Sequence, residues 1–163
     1  MKTFSELIEN LEQTLQQFDF VFQRYRRVYI SKRKLEHIYD ESTAIEEMKA
    51  LAEEAQSIAN EIVDRLLQGN VYSTLEEKES IDLQIINVYW QFRNIRHANK
   101  VFGDKFSTRV SDCFDHLLSM IDLLEFNIHS YNQKTREPSQ VFFFGFEIIS
   151  PEEAKKLVET ESL

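Results

Sequence analysis

Phe4, Ile8, Leu11, Leu15, Phe18, Phe22, Tyr25 and Tyr29 follow one another at alternating spacings of four and three. Eight apolar positions in that rhythm place every large side chain on one side of an α-helix, and such a stripe is stable in water only when another apolar surface covers it. The first segment of the chain must therefore be one wall of a helical core. Thr3 and Glu6 precede it in the spacing of a capping box, which satisfies free amides at a helix start. The stripe loosens after Tyr29 but continues through Leu35 and Tyr39, so an unbroken helix 1 covers 4–39 and is roughly 54 Å long.

Three further segments repeat the pattern. Thr43 and Glu46 form a second capping box ahead of Met48, Ala52, Ala55, Ala59, Ile62 and Leu66. This predicts helix 2 over 44–68, with alanines that permit a close neighbour. Gly69-Asn70 stops it, because glycine accepts the left-handed cap. Ser73 and Glu76 open helix 3 over 75–102, which Gly103 ends. Helix 4 starts between Asp104 and Ser107, carries Phe106, Val110, Cys113, Leu117, Met120, Leu124, Ile128 and Tyr131, and fades at 132–137 before Pro138.

Four amphipathic helices on short connections predict an all-α fold, an antiparallel up-down-up-down four-helix bundle over 1–137. With only three Gly and two Pro in 163 residues, the chain has too few turn residues for most sheet folds. Residues 138–163 differ. Val141 to Ile149 holds seven large apolar residues in nine and reads as an extended segment or strand. Ser150-Pro151-Glu152-Glu153 then begins a short terminal helix to about Glu159. Segment and helix are expected to pack on the bundle as part of one domain.

The net charge is −9, which disfavours a general nucleic-acid binder, since phosphate contacts need excess cations. A single cysteine, Cys113, excludes an internal disulfide and any CxxC site, and suits a reducing compartment. No apolar run follows a basic start, and none approaches the ~18 residues that span a bilayer. A cytoplasmic protein away from membranes is expected.

Three features invite a functional reading. Phe142, Phe143, Phe144 and Phe146 cannot all sit in water: either they cover the bundle's own core or they meet a second chain. On helix 3, Ile81, Ile85, Val88, Phe92 and Ile95 form the main stripe, while Leu83, Ile86 and Trp90 lie opposite. That second side is covered by the tail or serves as a partner surface, since Trp is enriched in binding hot spots. The third feature is charge segregation. Arg24, Arg26, Arg27, Lys32, Arg33 and Lys34 occupy eleven residues without an acid. Arg93, Arg96, His97 and Lys100 follow on helix 3, then Lys105 and Arg109. The bundle brings these clusters to one pole, a candidate anion site built around Arg26, Arg33, Arg93, Arg96, His97 and Lys100. The competing use is internal pairing with helix dipoles and with the acid-rich stretch 36–54.

Chemistry is scarce. No Glu-x-x-His motif supports a di-iron site. Asp112/His116 and Glu125/His129 are paired i,i+4, but the two histidines point to different sides, so no metal site is expected. Isolated glycines exclude a phosphate loop, and no cofactor is implied. Arg109 and His116 resemble the Arg-x(4–6)-His spacing of the HEPN helical-bundle ribonucleases, with Val110 where that family usually has a polar residue. The resemblance implies an Arg and a His acting on an RNA phosphodiester. The residues themselves favour a non-enzymatic interaction or regulatory protein that binds a protein partner or a second copy of itself, with an RNA- or nucleotide-acting bundle as the alternative.

Overall fold

The computed structural model describes residues 2–30, 41–69, 71, 75–102, 105–135 and the short stretches 143–144 and 147–148. The helices are α1 (Phe4–Ile30), α2 (Glu41–Gln68), α3 (Leu75–Phe102) and α4 (Thr108–Thr135). Each is about 42 Å long at 1.5 Å per residue, so all four run the full length of the core.

Local chemistry sets their ends. The Glu6 amide donates to Thr3 Oγ1 at 3.1 Å, and the Leu7 amide to the Thr3 carbonyl at 3.0 Å, so the first capping box works as read. Thr43 of the second lies inside its helix. α2 begins at Glu41, two residues before Thr43, because no Gly or Pro in the preceding stretch forbids an earlier turn. Gly69 closes α2 with φ at +78° and donates to the Leu66 carbonyl. A Cβ there would meet nothing within 4 Å, so backbone conformation alone is what favours glycine. The Ser107 carbonyl accepts from the Val110 and Ser111 amides, opening α4 where expected. The continuation of helix 1 over 31–39 and the short terminal helix lie outside the described residues.

Contacts between the helices fix their directions. Arg65, in the last turn of α2, donates to the Lys2 carbonyl beside the start of α1, so α1 and α2 are antiparallel. Ser5 bonds Gln84 at 2.9 Å, and Arg26 lies over the Phe102 ring, so α1 and α3 run parallel. Arg109 meets Glu46, which brings the starts of α2 and α4 together. Each helix thus runs opposite to the one before it, as the short connections predict. The order around the bundle is α1–α2–α4–α3. The α2-to-α3 connection therefore crosses the diagonal, and α1/α3 and α2/α4 are parallel neighbours.

Side-chain volume accounts for this order. Ala44, Ala52, Ala55 and Ala59 are buried on α2, and its packing against α1 and α4 is the most extensive in the bundle. Aromatic rings fill the diagonal between α1 and α4. Phe18 meets Phe114 edge-on at 5.6 Å between centroids, and Phe22 meets Phe114 at 4.9 Å and Phe106 at 5.8 Å. Such T-shaped pairs add about 0.5–1.5 kcal/mol each beyond area burial. α3 is the least embedded helix, with a sparse approach to α4. Beyond α4, Phe143–Phe144 (β1) pairs antiparallel with Glu147–Ile148 (β2), and β2 lies against α3. No helix among the described residues is long and apolar enough to cross a membrane.

Candidate functional site

α3 presents two faces. Ile81, Ile85, Val88, Phe92 and Ile95 are buried, so the main stripe closes the core as its spacing requires. On the opposite side, Leu83 is 57% and Trp90 47% exposed. Ile86 is half-buried and packs against the core, so it supports the edge of this face rather than projecting from it. At 100° per residue, Leu83, Asn87, Trp90, Asn94 and His97 fall within about 80° of one another, and all five are exposed. Arg93 reaches in from the flank, with its guanidinium 5.3 Å from the Trp90 ring centroid. This cation–π contact holds the indole in place at a cost of little entropy.

Part of the basic clusters can be followed, and two of their arginines, Arg96 and Arg109, are paired with carboxylates. Arg26 lies 4.6 Å and Lys105 5.9 Å from the Phe102 ring centroid, so the ends of α1 and α3 meet the start of α4 at one pole. Arg26 Nε also donates to Gln23. Arg96 turns away from this pole toward α4. It donates to both carboxylate oxygens of Glu125, at 2.7 and 2.6 Å, and to Asp122 at 2.8 Å. Glu125 is 1% exposed. Burial pushes its carboxyl above the ordinary range, with the Arg96 hydrogen bonds and charge pulling back. Lys100 and His97 remain exposed on α3. Arg33 lies outside the described residues.

Sequence spacing did carry a signal for Glu125. Phe114, Ile121, Glu125 and Ile128 are all buried at helical spacing, so the carboxylate sits within an apolar row and needs a partner. That partner is Arg96, twenty-nine residues earlier in the chain.

Arg109 and His116 are both exposed and lie two turns apart on α4. Arg109 is paired with Glu46 at 2.6 Å, an acid from the stretch expected to neutralise the pole. Cys113 is a buried free thiol on the core side, and burial raises its pKa, the opposite of an activated nucleophile. No group of three or more metal-ligating side chains occurs among the described residues. An open groove of about 480 Å³ runs between α1 and α2, lined by Asn10, Gln13, Gln17, Glu54, Ser57 and Glu61 among others. It contains neither His nor Cys, and its charged lining is Lys2, Glu54 and Glu61. Phe143 and Phe144 supply the backbone of β1, while their side chains, with Phe142 and Phe146, lie outside the described residues.

Set against known proteins, the chain matches no family model, no curated protein and no solved structure.

Proposed function

We propose that the protein is a small, non-enzymatic helical-bundle module of the cytoplasm that acts by binding a protein, either another chain or a second copy of itself, through the outer face of α3. The observation that carries this reading is the exposure of Leu83 and Trp90 on one side of a helix whose other side is closed in the core. Large apolar groups held in water on a folded surface favour a partner that covers them, and a Trp stiffened by a neighbouring Arg is a low-entropy anchor. β2 lies against the same helix and pairs with β1, which supports Phe142, Phe143, Phe144 and Phe146 as candidates for the same contact. The buried, free Cys113 suits a reducing compartment.

A photo-crosslinking residue at Asn87, between Leu83 and Trp90, tests the reading in cells, with exposed Asn60 on α2 as the control position. Protein adducts are expected at 87 and not at 60, and they should disappear in Leu83→Ser/Trp90→Ser. Light scattering reports whether the partner is a second copy. Equal capture at both positions would overturn the reading. So would salt-sensitive RNA binding that is lost in Arg93→Ala or Arg109→Ala, which would favour a phosphate-directed pole instead.

A further inference from the structure

Charge is distributed unevenly along α3. All four of its acids, Glu76, Glu77, Glu79 and Asp82, fall in the first eight residues. From Leu83 to Phe102 there is no acid at all, while Arg93, Arg96, His97 and Lys100 follow one another. Among the described residues, only Arg96 of these is drawn off to α4 carboxylates. The outer face therefore grades from apolar at Leu83 and Trp90 to cationic at Arg93 and Lys100, in a chain whose net charge is −9. A surface that opposes the sign of the whole molecule is a local well for anions.

Resting on the reading of α3 as a protein-binding face, we infer that its occupant is an acidic amphipathic segment of a different chain. Apolar side chains of the occupant cover Leu83 and Trp90, and its carboxylates meet Arg93 and Lys100. A second copy is the rival occupant: a two-fold contact places the same surface on both sides, and an antiparallel one would set exposed Glu79 near Lys100 of the other α3, so light scattering decides between the two. An RNA strand would satisfy the cations but leave Leu83 unused. It would also find one exposed aromatic on α3 where stacking platforms use several, on a protein that repels polyanions at long range.

The test uses the full chain and fluorescein-labelled helical peptides of Leu, Ala and Glu, with counterparts in which every Glu is Gln or Lys, beside a twenty-nucleotide uridine RNA. Binding is read by anisotropy. The Glu peptide is expected to bind, with affinity falling as salt rises. It should weaken about tenfold in Arg93→Ala/Lys100→Ala and be lost in Leu83→Ser/Trp90→Ser, with helicity by circular dichroism unchanged in both variants. The Gln peptide should bind about tenfold more weakly, and the Lys peptide not at all. Equal binding of the Glu and Gln peptides would overturn the acidic occupant while leaving a protein-binding α3 intact. A light-scattering dimer abolished by Trp90→Ser would do the same. Failure of every peptide to bind at millimolar concentration overturns the inference, and RNA binding in their place overturns the reading beneath it as well.

Discussion

Arg96 and Glu125 show how one buried charge organises its surroundings. The Glu125 carboxylate is almost wholly removed from water, and its cost is offset by two hydrogen bonds from a guanidinium that is 26% exposed. Burial still outweighs the pairing, so the folded protein binds a proton at Glu125 more readily than the unfolded chain does. Its contribution to stability is consequently greatest at low pH. It declines as pH rises from the ordinary carboxylate range through the raised folded value, and is flat above. Removing Arg96 deletes the opposing attraction, raises that value further and widens the window. Arg96→Ala is expected to cost about 3 kcal/mol at pH 7, because it strands a buried charge, and less near pH 4.5, the ordinary glutamate value, because the raised carboxyl binds its proton more readily there. Urea unfolding at the two pH values measures both. An identical loss at each would show that Glu125 does not sense Arg96.

At the level of elements, α2 and α3 are opposites. α2 turns small side chains inward and lets both of its neighbours approach closely, so added volume has nowhere to go. Ala55 is fully buried, and Ala55→Leu is expected to destabilise by about 1–3 kcal/mol through overpacking. Leu83→Ala on the outer face of α3 removes as many side-chain carbons as Ala55→Leu adds, yet should change stability by no more than about 0.5 kcal/mol, because those atoms already face water. Chemical denaturation of the two variants side by side reads the contrast directly. A loss at Leu83 equal to that at Ala55 would mean that the outer face is covered.

For the molecule as a whole, the packing is asymmetric. α1, α2 and α4 form a tightly approached set with aromatic rings across its diagonal, while α3 leans on α1 and approaches α4 sparsely. The Arg96 hydrogen bonds to Glu125 and Asp122 span that looser seam. Regions with fewer buried contacts open at lower free energy than the global transition. Native-state hydrogen exchange should therefore find amides of α3 exchanging through smaller openings than core amides of α1, α2 and α4. Uniform protection across all four helices would contradict this asymmetry.

Periodicity made the four helices legible, together with their stops at Gly69 and Phe102 and the opposite run of successive segments, because these depend on local spacing and short connections. The two-sided character of α3 could be read in the same way, since 100° per residue places Trp90 away from Phe92 whatever the neighbours are. Spacing could not choose which stripe faces which. The four stripes are chemically alike, and the order α1–α2–α4–α3 depends on how alanines on α2 and phenylalanines on α1 and α4 fill a shared volume. Nor could it assign Arg96 to Glu125 rather than to the basic pole, because an ion pair between distant residues depends on reach and burial in three dimensions. The chain's own order determined what forms and which side is apolar; packing alone decided which apolar groups are buried and which stay exposed.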